Sequence, residues 1–195
     1  YDTTRGGTNA LRSNVATHEA QYGDAVITFQ SDGFQVAGTN VAGVNGSGET
    51  LSSWNWKLNG ATTVTNNDGN VTSTVQASTT SGTSIVTFPA DNNDGRTVGH
   101  GLGVAPYCFA DVEGYQKIGT YNGNSGKDTF IYTGFRPQFF MCKNTVTGNT
   151  NWLVFDDVRD TSNPIELEFN WNNSDQENNN SRDIDFVSNG VKIRT

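Results

Sequence analysis

Two stretches of the chain set an acid, a base and an amide at one spacing. Asp2-x-x-Arg5-x-x-x-Asn9 returns as Asp156-x-x-Arg159-x-x-x-Asn163. An Asp and an Arg three apart can close a loop after a strand by a charge-assisted pair. The sharper reading is a duplicated loop that contacts a sugar. Trp152, just upstream of Asp156, offers a ring for a sugar to stack on. Trp152, Asp156, Arg159, Asn163, Asp2 and Arg5 are thus the candidate ligand-binding residues. The alternating positions of Trp54, Trp56 and Trp171 also suit a packed core, as does Trp152 itself.

Other chemistry finds less material. His100 lies in Val98-Gly-His-Gly-Leu-Gly103, but no Lys or Ser/Thr follows at phosphate-loop spacing, so a turn histidine is expected. His18 is the second and last histidine, and no Cys/His metal cluster can be assembled. Asp91-Asn-Asn-Asp-Gly95 and Phe155-Asp156-Asp157 hold oxygen ligands without spelling a calcium loop. Calcium stays an option beside ordinary Asx turns. Glu166 and Glu168 lie two residues apart, a spacing of about 6–7 Å that a glycosidase pair could use. They sit on a regular alternating strand, which reads as a solvated face. Cys108 and Cys142 each lie in an apolar run and read as buried free thiols. The expectation is no catalytic residue, no metal ligand set, no cofactor and no enzymatic activity.

The composition limits what positions these residues. The chain has 195 residues, with 25 Thr, 24 Asn and 22 Gly against 6 Leu. Good helix formers are scarce, and Thr, Val, Phe and Tyr suit strands. Twenty acidic and 12 basic side chains give a net charge of −8, without the basic cluster that nucleic acid or an anionic membrane requires. Asn-Gly and Asp-Gly pairs recur at 32–33, 45–46, 59–60, 68–69, 94–95, 122–123 and 189–190, and predict tight turns with positive φ. Between them, Ile165-Glu-Leu-Glu-Phe-Asn-Trp171 predicts a strand with Ile165, Leu167, Phe169 and Trp171 dry and Glu166, Glu168 and Asn170 wet. Ser53-Trp54-Asn55-Trp56-Lys57 predicts another. The fold class is all-β, an antiparallel sandwich or jelly roll.

The chain is also internally duplicated. Phe29-Gln-Ser-Asp-Gly-Phe-Gln-Val36 matches Phe186-Val-Ser-Asn-Gly-Val-Lys-Ile193, after the two Asp-x-x-Arg motifs in the same order. Asn14 to Glu19 and Asn173 to Glu177 lie correspondingly between them. Gly103-x-x-Pro106 and Gly134-x-x-Pro137 form a weaker third echo. The organisation read from this is residues 1–58 as the C-terminal part of a first β unit, 59–83 as a Thr/Asn/Ser-rich connector with one strand, and 84–195 as a second unit.

Ser-Gly-Glu-Thr-Leu-Ser-Ser-Trp-Asn-Trp-Lys (47–57), Thr-Val-Gly-His-Gly-Leu-Gly-Val-Ala-Pro (97–106), Tyr-Thr-Gly-Phe-Arg-Pro (132–137) and Ile-Asp-Phe-Val-Ser-Asn-Gly (184–190) carry a resemblance. With the pattern that connects them, they resemble a lectin-like family of β-rich domains from tail fibres and virion appendages of bacteriophages, notably marine ones. The resemblance implies a concanavalin-like two-sheet sandwich on a virion surface, without catalytic residues. It further implies a multi-copy assembly, a homotrimer or symmetric array, with other virion proteins as partners; it identifies no ligand, and binding of host-surface glycan is the expected function. A purely structural role, in capsid decoration or fibre building, is the alternative. One departure from the family is that the strand after Pro106 runs almost at once into Asp111-Val-Glu-Gly-Tyr-Gln-Lys, as if a middle unit had collapsed. Because Tyr1 is the counterpart of Phe155, residues 1–10 are expected to pair with a strand from 84–143 or from a neighbouring subunit.

Overall fold

A computed structural model describes residues 1–15, 19–21, 26–37, 44–58, 60, 62–89, 106–125, 128–179 and 182–194. These residues hold fourteen short strands, all antiparallel, and no helix. The chain divides into two compact units, Tyr1–Leu11 with Glu19–Val112, and Arg12–His18 with Glu113–Thr195.

In the first unit β1 (Asn9–Ala10) pairs with β2 (Ala20–Gln21), and β3 (Val26–Phe29) with β4 (Phe34–Ala37). A four-stranded sheet follows in sequence order: β5 (Val64–Asn66), β6 (Ser73–Ser78), β7 (Thr83–Thr87) and β8 (Tyr107–Phe109). Gln76, Ile85 and Tyr107 lie side by side across it, and the first two are fully buried. The stretch 59–83, read as a connector with one strand, thus holds β5, β6 and the start of β7. Its Thr and Val residues satisfy the period-2 pattern that low complexity masks. Because β7 is bonded to both β6 and β8, residues 84–112 stay with the first unit.

The second unit has two three-stranded sheets. β10 (Phe139–Lys143), β11 (Trp152–Asp156) and β12 (Phe169–Asn170) form one. β9 (Thr129–Tyr132), β14 (Gly190–Ile193) and β13 (Ile184–Val187) form the other, with β14 in the middle. Phe155, Ile165, Ile184, Phe186 and Val191 make one buried cluster, against which Ile131, Phe140, Leu153 and Ile193 pack. The register puts Phe140, Leu153 and Phe155 on one face of the first sheet. It puts Ile131, Phe186 and Val191 on one face of the second. Each sheet therefore contributes one apolar face to a common core.

Several expectations are corrected. The run Ile165–Trp171 is not one strand: Ile165 bridges to Ile184, Glu168 to Asn178, and only Phe169–Asn170 pairs with β11. Changing partners interrupts the ladder, and the segment around Asn178 covers the side expected to be wet. Glu168 is fully buried and paired with Arg182 at 2.6 Å. Residues 53–57 are not a strand, although exposure alternates as expected, with Trp54 and Trp56 half-buried. Trp56 sets its ring edge-on to Phe109, with centroids 5.7 Å apart. Cys108 and Cys142 are free thiols but not buried: Cys108 is exposed, opposite Ser84 on the face away from Gln76 and Ile85, and Cys142 is half-buried. Neither Gly33 nor Gly190 has positive φ, so their turns do not need glycine for the reason the dipeptides suggested.

The N-terminal residues are anchored from within the chain. Asp2 is buried, and the hydroxyls of Thr3 and Thr4 donate to Gln76 Oε1 at 2.8 and 2.7 Å. Their backbone pairing comes from β2 and from Ile27, whose N–H donates to the Gly7 carbonyl at 2.9 Å. Among the described residues, the span 84–143 contributes a side chain to this segment, Tyr107, and no pairing strand.

Candidate functional site

The two Asp-x-x-Arg motifs fold alike. In the first unit Asp2 Oδ1 accepts the backbone N–H groups of Thr4 and Arg5 at 3.0 and 2.9 Å. Asp2 Oδ2 accepts Arg5 Nε at 2.5 Å and the Tyr107 hydroxyl at 2.7 Å. The guanidinium then reaches Glu19 at 2.6 Å and donates to the Tyr107 oxygen at 2.5 Å. In the second unit Asp156 Oδ1 accepts the N–H groups of Val158 and Arg159 at 3.1 and 3.0 Å, and Oδ2 accepts Arg159 Nε at 2.7 Å. Arg159 reaches Glu177 at 3.1 Å and the Val154 carbonyl at 3.4 Å. Its guanidinium lies 4.5 Å from the Phe169 ring centroid, a cation–π contact where the first unit has Tyr107 at 5.9 Å.

Each motif is therefore an Asp–Arg–Glu clasp. The Asp and Arg side chains are nearly buried, at 5% and 7% exposure in the first unit and 4% and 7% in the second. Burial alone would raise the Asp2 carboxyl. The Tyr107 hydroxyl, the Arg5 N–H and the Arg5 charge outweigh it and hold the group below the ordinary carboxylate range. For Asp156 the same burial is outweighed by the backbone, side chain and charge of Arg159. Tyr107 is pushed up, first by its own burial and then by the neighbouring Asp2 carboxylate. The donors and acceptors of both pairs are directed at the protein itself, which is the chemistry of a loop closure.

The correspondence of the motifs is partial. Gly7 accepts from Ile27 as Ile165 accepts from Ile184, and Ala10 pairs with Ala20 as Glu168 bridges to Asn178. The second unit has thus gained four residues, 160–163, between Arg159 and these pairings. Asn163 falls in the insertion and is not the counterpart of Asn9. Its amide clasps β13, accepting the Phe186 N–H and donating to the Phe186 carbonyl, both at 3.0 Å. Asn9 instead donates to the Arg5 carbonyl at 2.7 Å. Glu19 and Glu177 are the third members that the motif left out. Their matched placement between the two repeats was the available signal.

Trp152 and Asp156 share one face of β11 at its opposite ends, and Arg159 is held by Asp156. Cross-strand partners share a face, so Lys143–Trp152, Met141–Val154–Phe169 and Phe139–Asp156 line the outer face of the β10–β11–β12 sheet. Val154 is fully buried on this side, while Trp152 and Met141 are each 42% exposed. Asparagines flank Trp152: Asn172 Oδ1 accepts its backbone N–H at 2.8 Å, and Asn172 Nδ2 donates to Asn151 Oδ1 at 3.1 Å. Lys143, next to Trp152, is bound to the Thr150 carbonyl and hydroxyl.

The remaining candidates are dispersed. Glu166 accepts from Asn179 at 2.9 Å, whereas Glu168 is buried, so the two acids do not share an exposed cleft. Asp157 is paired with Arg136 at 2.6 Å. Among the described residues no group of three His, Cys, Asp or Glu side chains could hold a metal ion. His18, His100 and Asp91–Gly95 lie outside the described residues.

No curated protein and no solved structure is significantly similar to the chain. A family model matches it twice, over residues 1–107 and 105–195, so the two copies meet at the start of β8. Each copy holds one Asp–Arg–Glu clasp and one of the two matching hairpins, and the chain belongs to the family described as a domain of unknown function, DUF7483.

Proposed function

We propose that this protein is a non-catalytic component of a bacteriophage virion appendage, a tail or surface fibre, that binds host-surface glycan. Its units are concanavalin-like, lectin-like sandwiches, exposed on the particle as a homotrimer or symmetric array beside other virion proteins. It uses no cofactor, with calcium as the alternative.

The observation that supports ligand binding is Trp152. A half-exposed indole flanked by Asn151, Asn172 and Lys143 has the make-up of a sugar platform, an apolar ring for the pyranose face with amides at its rim. The clasp behind it fixes the strand from which it projects. Asp156 and Arg159 act here as supports of the platform, with Asp2 and Arg5 as the matching clasp in the first unit. A glycan array probed with the wild-type chain and with Trp152→Ala tests this reading. Binding to a defined set of glycans, lost in the variant, is expected; an array blank for both proteins overturns it.

A second reading, a purely structural virion protein without ligand, is favoured by the exposed aromatic face of β3–β4. Phe29 and Phe34 are 39% and 40% exposed there. In that case virions lacking the protein lose particle stability and keep host attachment.

A further inference from the structure

The β3–β4 and β13–β14 hairpins are one structure seen twice. Shifted by 157 residues, Val26↔Ala37, Ile27↔Val36, Thr28↔Gln35 and Phe29↔Phe34 continue the register of Ile184↔Ile193, Asp185↔Lys192, Phe186↔Val191 and Val187↔Gly190. The isoleucine at the same place, Ile27 or Ile184, is buried in both. Beyond it the two differ. Phe186 and Val191 are 2% and 0% exposed, whereas their counterparts Phe29 and Phe34 are 39% and 40% exposed.

The second unit shows what covers this edge. β9 lies along β14 with Gly190↔Tyr132, Val191↔Ile131, Lys192↔Phe130 and Ile193↔Thr129. At its ends the Asn189 carbonyl accepts the N–H groups of Thr133 and Gly134 at 3.0 and 3.2 Å, and the Ile193 carbonyl accepts that of Asp128 at 2.9 Å. In the first unit the matching acceptors are the carbonyls of Asp32 and Val36. Among the described residues no strand pairs with the outer edge of β4.

Glycine gives an independent indication. A Cβ on Gly190 would stand 2.2 Å from the Ile131 oxygen and 2.8 Å from the Phe130 ring, so a bare backbone is what lets β9 approach. Gly33 holds the same place in the first unit, and a Cβ there would meet nothing within 4 Å. Its φ is not in the left-handed region either. Among the described residues neither a contact nor the φ at 33 demands a bare backbone, while a strand docked as β9 is docked would.

We propose that the outer edge of β4 accepts in trans an antiparallel strand built like β9. Such a strand sets β-branched residues inward over Phe29 and Phe34 and aromatic residues outward, and passes its backbone across Gly33. The donor is a strand of this kind on another polypeptide. The inference is independent of the glycan reading.

The test uses a fluorescent peptide with the sequence Asp128–Phe135, titrated against the full chain and followed by anisotropy. Saturable binding is expected, weakened about tenfold or more by Gly33→Ala and by placing Asp at the Ile131 position of the peptide. Gly33→Ala should leave the circular dichroism and the urea midpoint unchanged, and Gly33→Val serves as a second variant with the same expectation. Absence of saturation at millimolar peptide overturns the proposal, as does equal binding by both Gly33 variants. A concentration-dependent dimer that Gly33→Ala abolishes, without peptide binding, also overturns it, because β4 then pairs with its own counterpart.

Discussion

Replacing Asp156 by Asn keeps the shape of the clasp and removes its charge. The Asn carbonyl can still accept the N–H groups of Val158 and Arg159, so the turn loses little. On the other side an amide now faces Arg159 Nε, donor against donor. Removing one partner of a buried pair costs about 3–5 kcal/mol. Glu177, 44% exposed, still faces the guanidinium, which places the expected loss near the lower end, about 3 kcal/mol. With a urea slope of about 1–3 kcal/mol/M, the midpoint should fall by about 1–3 M. Asp157→Asn is the control. Its partner Arg136 is 44% exposed, and exposed pairs contribute about 0.2–1 kcal/mol. Equilibrium unfolding of the full chain, read by tryptophan fluorescence and circular dichroism, measures both. In a double-mutant cycle with Arg159→Met, the coupling should exceed about 1 kcal/mol. An Asp156→Asn loss no larger than that of Asp157→Asn, or a coupling near zero, refutes the view that the clasp holds the loop.

Two further perturbations follow from the same geometry. Asp2 and Asp156 are held below the ordinary carboxylate range, so they contribute stability that is present above an unfolded pKa of about 4 and lost as pH falls through the folded values. The urea midpoint should therefore drop on acidification below about pH 4, and more shallowly in Asp156→Asn; equal slopes in the two proteins contradict the assignment. Gly7→Ala would place a Cβ 1.6 Å from the Ile27 carbonyl oxygen, on the backbone itself. It should destabilise by about 2–3 kcal/mol or more, against a change within about 0.5 kcal/mol for Gly123→Ala, whose Cβ meets nothing within 4 Å.

The all-β class, the duplicated hairpin and the Asp–Arg pairing were legible in the sequence because each is a short-range pattern. Alternation over four residues and a turn dipeptide are local, and β3–β4 and β13–β14 follow from them. The failures lie where a distant segment decides. Glu168 is dry because the chain near Asn178 bridges to it, and nothing in Ile165–Trp171 announces that crossing. Residues 53–57 alternate as a strand should but have no ladder. Cys108 sits in an apolar run yet is exposed, because its register puts it on the face opposite to Gln76 and Ile85. Of the candidate site, Trp152 and Asp156 share one face of β11, Arg159 is held by Asp156, and Asn163 serves a different strand. Period-2 arguments say which residues share a face, and they are silent on what covers it.

The contrast between Asp and Asn in the repeated motif shows how physics sets what a repeat preserves. Asp Oδ1 bonds the N–H groups two and three residues on, so the Asp-to-Arg distance along the chain is fixed by the turn itself. The third member comes through space. Glu19 stands 14 residues after Arg5, and Glu177 stands 18 after Arg159, yet both reach the same guanidinium atom. Lengthening a loop by four residues costs only a few tenths of a kcal/mol in closure entropy. It disturbs nothing in the clasp as long as both ends are held. The insertion at 160–163 uses that tolerance, and it brings in Asn163, whose amide ties the new loop to Phe186. A residue can therefore recur at the right spacing by sequence and still belong to an element that its apparent counterpart lacks. The members to trust in such a repeat are those whose spacing the backbone dictates, and here these are the aspartate and the arginine.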